Sequence, residues 1–208
     1  MKRCIVFCAG EAGPLPSGFC IEPEDLVIAC DAGYRSACEA GVQPHLLIGD
    51  FDSLGEPLPE GIETLRFPVE KDDTDGMLAL REGLHRGFRR FVLFFALGGR
   101  LDHTIANLQA LVFLQEHEAE GMLIGPNDTV RLLTPGSLTL PRRDGFTLSI
   151  FACGGEARGV TLTGMQYPLK EATVTTAFPI GLGNHILAAQ GRIDLRQGKL
   201  LVVESRIN

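Results

Sequence analysis

Two aspartates that directly follow a short apolar run carry the first chemical signal in this sequence. In the stretch LLIGDFDSLG, residues 46–49 are apolar or small, as in a buried strand, and Asp50 and Asp52 come immediately after them. Two carboxylates in one small volume raise each other's pKa unless a cation or a hydrogen-bond donor compensates. Hard oxygen ligands with no Cys or His beside them favour Mg²⁺, whose coordination is usually completed by water and substrate phosphates. The pair therefore predicts a magnesium site.

Three further strand candidates also end in residues suited to binding a charged ligand. These residues are Asp31 after LVIAC; Lys71, Asp72, Asp73 and Asp75 after LRFPVE; and Gly98, Gly99, Arg100, Asp102 and His103 after FVLFFAL. In open α/β sheets, ligands bind beyond the carboxyl ends of the strands. We therefore expect these residues to converge on one site, although they are far apart in the sequence.

The segment GGR, which precedes a helix candidate, has the features of a phosphate-binding site. Its glycines let the backbone approach a ligand, its arginine is a cationic fork, and a helix N-terminus favours an anion. Lys71 would add a second cation. A simpler interpretation stays open for the neighbouring residues, because Asp72, Asp73 and Asp102 would also serve as helix caps and His103 as a first-turn residue without a task.

The order of elements predicts two domains of different class. Apolar strands alternate with amphipathic helices up to about residue 125, which indicates a mainly parallel sheet covered on both faces. The strand candidates are 4–8, 26–30, 46–48, 64–67, 91–97 and 122–124, and the helix candidates are 34–40, 74–85 and 102–117. From about Thr129 onward, short alternating stretches separated by Gly and Pro indicate an all-β sandwich or barrel. We place the boundary between residues 1–126 and 127–208.

Composition limits the classes of partner. The chain has 208 residues, 45% of them hydrophobic and 22% charged, and a formal net charge of −7. An acidic chain is a poor partner for nucleic acid or an anionic membrane, which favour basic patches, and no apolar run reaches the length of a membrane span. The six cysteines include no CxxC pair, so we expect reduced thiols and a cytoplasmic protein. The start MKRCIVFCAG is interpreted as a first strand rather than a signal peptide.

Three motifs taken together resemble the thiamine pyrophosphokinase family. They are GDFDS, EKDDTD and LGGRLDHTIANL, in that order and spacing. The second half continues the resemblance with GVTLTGMQYPL, GLGNHI and GKLLVV. The resemblance implies an α/β domain followed by a β-sandwich, and a homodimer whose active site lies between one subunit's α/β domain and the other's sandwich. The implied reaction converts ATP and thiamine into thiamine diphosphate and AMP.

The resemblance also implies roles for individual residues. Asp50, Asp52 and Asp75 would bind Mg²⁺, with Asp31 as a further candidate. One carboxylate, Asp75 or Asp72, would orient the thiamine hydroxyl or accept its proton, and Asp52 is included with these two as catalytic. The residues expected to bind ATP or thiamine are Lys71, Arg100, Gly98, Gly99, Asp102, Asp31, Ser53, Asn184, His185 and Tyr167.

Some positions depart from the family pattern and keep other functions open. Gly183 stands where the family usually has Ser, and the chain has no Trp to cover the thiamine ring; His185 and Ile186 occupy that place. A pyrophosphokinase for another hydroxyalkyl heterocycle is therefore an alternative. GDFDS also resembles the strand–DxD start of haloacid dehalogenase phosphatases, but there the motif follows the first strand, and here two strand candidates precede it. A non-catalytic, Ca²⁺-stabilised binding module would explain the aspartates but would leave GGR and Lys71 without a task.

Overall fold

The computed structural model describes residues 2–51, 59–68 and 73–207. The chain divides into two compact units, Met1–Pro126 and Asn127–Asn208. In the described part of the chain, no helix is both long and apolar enough to cross a membrane.

The described part of the first unit contains a sheet of six parallel strands. The strands are β1 (Cys4–Phe7), β2 (Leu26–Cys30), β3 (Leu46–Gly49), β4 (Glu63–Arg66), β5 (Arg90–Phe94) and β6 (Glu120–Ile124). Their spatial order is β6-β5-β1-β2-β3-β4, and every neighbouring pair runs in parallel. The predicted parallel sheet is confirmed. Strands β1, β2 and β3 are buried along their whole length, which explains why their sequences are continuous apolar runs rather than alternating ones.

Within the described residues, three helices cover the sheet: α1 (Gly33–Glu39), α2 (Asp75–His85) and α3 (Leu101–Glu116). On one face, Ala37 of α1 packs in a core with Phe7 and Val27. On the other face, Gly83 of α2 lies against Cys4 and Phe91. All the predicted helices and strands of this unit are present, and their ends agree within two residues except at the end of β5.

The side chain that caps helix α2 is Thr74, whereas the cap candidates from the sequence were Asp72 and Asp73. Thr74 is the N-cap, and its Oγ1 accepts a hydrogen bond from the backbone N–H of Met77 at 3.2 Å. Asp73 instead forms an ion pair with Arg81 at 3.0 Å. The cap that fixes the start of α2 is therefore a hydroxyl, which leaves Asp75 in the first turn.

The second unit is built from antiparallel strands. They are β7 (Asp128–Leu133), β8 (Gly136–Pro141), β9 (Phe146–Ala152), β10 (Ala157–Thr163), β11 (Leu169–Val174), β12 (Gly181–Asn184), β13 (Gln190–Leu195) and β14 (Leu200–Arg206). One layer has the order β12-β9-β14-β7 and the other β11-β10-β13-β8. Inward side chains of both layers, such as Ile150, Val202, Val160 and Ile193, share one hydrophobic core. The predicted sandwich is confirmed.

A matched pair of glycine substitutions in α2 tests the packing of this helix on the sheet. A Cβ at Gly83 would lie 2.6 Å from Cε1 of Phe91 and 2.8 Å from Sγ of Cys4. Both neighbours are buried, so we expect Gly83→Ala to lower the free energy of unfolding by about 1–3 kcal/mol. At Gly76, the nearest atom to an added Cβ is 3.8 Å away.

The control Gly76→Ala should leave stability unchanged or raise it slightly, because alanine favours a helix over glycine. Urea unfolding followed by circular dichroism measures both changes. Equal stability of the two variants would contradict the close approach of α2 to β1 and β5.

Candidate active site

A cavity of about 730 Å³ lies at the carboxyl ends of the parallel strands in the first unit. The chain extends the sheet from β1 through β2 and β3 to β4, and then places β5 on the opposite side of β1. Such a switch point is where open α/β sheets bind ligands. The cavity is lined by residues that follow β1, β2 and β5 and by the first turns of α2 and α3. Its volume is in the range of small-molecule sites.

The structure brings together several residues that the sequence analysis selected. Six of them line the cavity: Asp31, Asp75, Gly98, Gly99, Arg100 and His103. Asp102 is paired with Arg100 at the cavity's edge. Asp50 is described but is not among the residues that line the cavity. Asp52, Ser53, Lys71 and Asp72 lie outside the described residues.

Asp31 connects the ends of two neighbouring strands. Its backbone N–H donates to the carbonyl oxygen of Ile48 at 3.1 Å, and its Oδ1 accepts from the backbone N–H of Phe51 at 3.1 Å. A Cβ at Gly49 would lie 1.8 Å from that Oδ1. Glycine before Asp50 is therefore required for the Asp31 carboxylate to reach the turn that carries the predicted metal ligands.

The carboxylates around Asp31 disfavour its ionised form. Burial is the main cause that raises the pKa of Asp31 to about 7. A hydrogen bond with the Asp75 side chain raises it further, as do the charges of Asp75 and Asp50, whereas the Phe51 N–H lowers it. A cation placed among these carboxylates would relieve their repulsion. The donor set thus fits a hard divalent ion.

The predicted set of metal ligands is only partly within the described residues. Among those residues, no group of three or more His, Cys, Asp or Glu side chains is close enough to hold a metal. The predicted ligand Asp52 lies outside them. The magnesium site therefore stays a prediction.

Backbone strain is concentrated at the strand ends around the cavity. Among the described residues, five non-glycine residues have positive φ, and Asp31 (+43°), Phe51 (+63°) and Phe95 (+57°) are three of them. These residues follow β2, β3 and β5, respectively. Non-glycine residues in this conformation cost of order 1–3 kcal/mol each and often occur at functional sites. Here the strain turns each chain segment at the sheet edge where the candidate side chains lie.

The loop between β5 and α3 forms the part of the cavity suited to an anion. Gly98 and Gly99 have φ of +81° and +64°, and a Cβ at Gly98 would lie 2.6 Å from Oε2 of Glu11. Arg100 forms two hydrogen bonds with Asp102, at 3.1 and 2.6 Å, and both side chains are more than 60% exposed. An exposed pair of this kind contributes little to stability. The guanidinium can therefore exchange Asp102 for a phosphate at small cost.

Some residues of the cavity wall were not selected from the sequence: Glu11 and Cys8 follow β1, and Cys30 ends β2. Asn107, on α3, also lines the cavity. Asn107 Nδ2 donates to the carbonyl oxygen of Ala96 at 2.7 Å and so holds the loop after β5. The Gly-containing segment CAGEAG directly after the first strand was a usable signal for Glu11, since it has the same strand-then-loop pattern as the selected segments.

In the second unit, Asn184 is buried, and both the oxygen and the nitrogen of its carboxamide form hydrogen bonds. Its Oδ1 accepts from the backbone N–H groups of Tyr167 (3.0 Å) and His185 (2.9 Å), and its Nδ2 donates to the Tyr167 carbonyl at 2.8 Å. Asn184 therefore positions Tyr167, whose side chain is exposed. Gly183 has φ of +71°, so a serine here would adopt a backbone conformation that side chains rarely occupy.

The first unit thus combines clustered carboxylates with a glycine-rich, cationic helix start in one cavity. This combination is typical of enzymes that act on polyphosphates. Comparison with known proteins identifies the family of such enzymes.

Family models match both units. The model for the catalytic domain of thiamin pyrophosphokinase matches residues 20–123, and the model for its vitamin B1 binding domain matches residues 137–200. The alignment with a curated thiamine pyrophosphokinase of Bacillus subtilis (strain 168) spans 213 positions at 27% identity, and it covers 99% of each chain. The chain therefore belongs to the thiamin pyrophosphokinase family, a family of enzymes.

Solved structures agree with this assignment. The crystal structure of thiamine pyrophosphokinase from Bacillus subtilis matches with a TM-score of 0.89 at 25% identity, covering 100% of both chains. A thiamin pyrophosphokinase family protein from Enterococcus faecalis matches with a TM-score of 0.78 at 26% identity, also over 100% of both chains. The enzyme from Candida albicans, 14% identical, has a TM-score of 0.77 over 98% of this chain and 90% of its own, which shows the shared fold.

The raised pKa of Asp31 predicts how stability depends on pH when no metal is bound. Because the folded state binds this proton more tightly than the unfolded state, Asp31 favours folding fully below about pH 4 and loses this effect as pH rises through about 7. Asp31→Asn removes the titration, and Asn tolerates a left-handed backbone. We expect the melting temperature of this variant, relative to the wild type in metal-free buffer, to rise between pH 4.5 and pH 8.

Asp25→Asn provides a control of opposite sign. Burial alone would raise the pKa of Asp25, but hydrogen bonds from Arg3 and from the Glu22 N–H hold it below its usual range. Asp25→Asn should therefore lose more stability at pH 8 than at low pH. A pH-independent difference between Asp31→Asn and the wild type would contradict the carboxylate cluster.

Proposed function

We propose that this chain catalyses the transfer of a pyrophosphoryl group from ATP to the hydroxyl of thiamine, with thiamine diphosphate and AMP as products. The observation that carries the proposal is that Asp31, Asp75 and the Gly98–Arg100 loop line the same cavity. The family assignment supports the organic substrate. In this reaction the thiamine hydroxyl attacks the β-phosphorus, and AMP leaves.

Asp50, Asp52 and Asp75 are the proposed ligands of Mg²⁺, with Asp31 beside them. When bound, Mg²⁺ would neutralise charge on the phosphate oxygens. The Asp31 carboxylate accepts a hydrogen bond from the Phe51 N–H, and thereby fixes the backbone at Phe51, the residue between Asp50 and Asp52 in the sequence. The protein has little covalent work to do in such a reaction, because positioning and charge neutralisation supply most of the rate.

The loop after β5 and the start of α3 are the proposed phosphate-binding elements. Gly98 and Gly99 allow the backbone to approach the phosphates, and Arg100 supplies a cationic fork. Asn107 keeps the loop in place through the Ala96 carbonyl. Lys71 is proposed as a second cation, and Asp102 as the group that orients Arg100 or contacts substrate.

A carboxylate is proposed to orient the thiamine hydroxyl and to take its proton. Asp75 lines the cavity and is hydrogen-bonded to Asp31; Asp72 is the second candidate for this role. The negative wall also suits the cationic thiazolium ring of thiamine.

The second unit is proposed to bind the organic end of the substrate within a homodimer. Tyr167 and His185 are its proposed contacts, and Asn184 holds their backbone. Ser53, in the first unit, is a further proposed contact with ATP or thiamine. Because Gly183 supplies no hydroxyl, a related alcohol on another heterocycle is the second candidate substrate. Six free thiols, all among the described residues, are consistent with the proposed cytoplasmic location.

Substitution of the two aspartates after β3 tests the metal site. Asp50→Asn and Asp52→Asn preserve size but remove a hard anionic ligand. We expect each to reduce AMP formation from ATP and thiamine at saturating Mg²⁺ by on the order of 10²- to 10³-fold, which is about 3–4 kcal/mol. Without metal, each variant should be slightly more stable than the wild type, because repulsion between carboxylates is relieved.

Asp73→Asn is the matched control, because Asp73 pairs with Arg81 at 3.0 Å. It removes the same charge from the neighbouring segment and should keep most of the activity. Near-normal turnover of both Asp50→Asn and Asp52→Asn would refute the metal site and the proposed reaction. Release of inorganic phosphate from a phosphoester without thiamine would instead identify a phosphatase.

Subunit complementation tests the proposed dimer. If each active site combines the first unit of one subunit with the second unit of the other, then Asp52→Asn and Tyr167→Ala inactivate different halves of it. Mixed and refolded together, these two variants should form heterodimers with one intact site and recover part of the activity. Sedimentation equilibrium measures the mass; an active monomer would refute this arrangement.

A further inference from the structure

Two buried thiols in the cavity wall have no task in the proposed reaction. Cys8 directly follows β1, Cys30 ends β2, and both line the cavity. Strands β1 and β2 pair in parallel with Phe7 opposite Ala29, so Cys8 and Cys30 are the next pair in the same register. Neighbouring strands lie ~4.8 Å apart, within the ~4.4–6.8 Å that separate the Cα atoms of bridged cysteines.

Both thiols are on the face of the sheet that α2 covers. The Cys30 thiol lies 3.5 Å from the carbonyl oxygen of Asp75, the first residue of α2. On β1, Cys4 faces the same helix, because its Sγ lies 2.8 Å from the position of a Cβ at Gly83. Cys8 comes four residues after Cys4 and has the same side-chain direction in an extended chain. The two sulfurs are therefore neighbours across the strand pair.

We propose that Cys8 and Cys30 form a paired-thiol site for trivalent arsenicals, which exchange oxygen for two sulfur ligands, and that the bound arsenical blocks the cavity. In the exchange, both S–H bonds and the arsenic–oxygen bond break, and two arsenic–sulfur bonds form. The oxygen leaves as water with the two thiol protons. Arsenic stays trivalent, so the step needs neither oxidant nor reductant.

The environment of the two thiols favours this class of reagent over others. Both side chains are buried, with Cys8 7% and Cys30 4% exposed. Reagents that need a thiolate react slowly at buried thiols. The arsenic adduct is neutral, so burial does not oppose it as it opposes a thiolate. The other cysteines differ in exposure or place: Cys20 and Cys38 are exposed and Cys153 is half-buried. Cys4 is buried but is not among the residues that line the cavity.

Mass spectrometry of the full chain with phenylarsine oxide tests the site. After excess monothiol has removed arsenic held by single cysteines, we expect one phenylarsenic unit per chain with two protons lost. Fragmentation should place it between the peptides that contain Cys8 and Cys30. Cys8→Ala and Cys30→Ala should each lose the retained adduct, whereas the control Cys4→Ala, on the same strand and face but outside the cavity wall, should keep it.

The mapping on the wild-type chain needs no variant and therefore stands even if a substitution impairs folding. Retained arsenic on Cys20 or Cys38, or none retained after the monothiol wash, would overturn the site. Protection by ATP with Mg²⁺ would support its place in the cavity. A mapped adduct that ATP with Mg²⁺ does not prevent would establish the thiol pair but would overturn the proposed block of the cavity.

Discussion

The hydrogen bond from the Phe51 N–H to Oδ1 of Asp31 joins the ends of two neighbouring strands, and the candidate site depends on it. It draws the turn after β3 toward the end of β2 and thereby brings carboxylates from separate segments together. Burial raises the pKa of Asp31 to about 7, and a hydrogen bond with Asp75 and the charges of Asp75 and Asp50 add to this effect. Repulsion within this cluster raises the free energy of the folded chain, and a bound cation would lower it. Ligand binding and local stability are therefore linked at this edge of the sheet.

The rest of the first unit supplies the rigidity that this cluster requires. Strands β1, β2 and β3 are buried along their whole length, so the ends of β2 and β3 are fixed points from which Asp31 and Phe51 can adopt strained conformations. Gly49 leaves room for the Asp31 carboxylate, and Asn107 fixes the loop after β5 through the Ala96 carbonyl. Asp31 and Arg100, whose charges are opposite, thus line one cavity from short segments that follow the buried strands β2 and β5.

Sequence reasoning predicted the elements well because buried parallel strands are continuous apolar runs. It extended β5 to Leu97, whereas the strand ends at Phe94. Phe95, Ala96 and Leu97 are as buried as a strand, but Phe95 has positive φ, and hydropathy does not reveal a backbone turn. The carboxylates were found by motif, since their charge is conspicuous after apolar runs. The pairing of Cys8 with Cys30 was missed because it depends on strand register, which no local pattern specifies.

The second unit shows why a selected residue and its role are separate inferences. Asn184 was selected as a ligand contact, yet its carboxamide bonds to Tyr167 and His185. A buried amide without these partners would be costly, so the bonds fix the backbone of two other selected residues. Under the proposed function, Asn184 therefore acts on specificity by positioning Tyr167 and His185. With Gly183 beside it contributing no side chain, discrimination among heterocyclic alcohols would depend on those two rings.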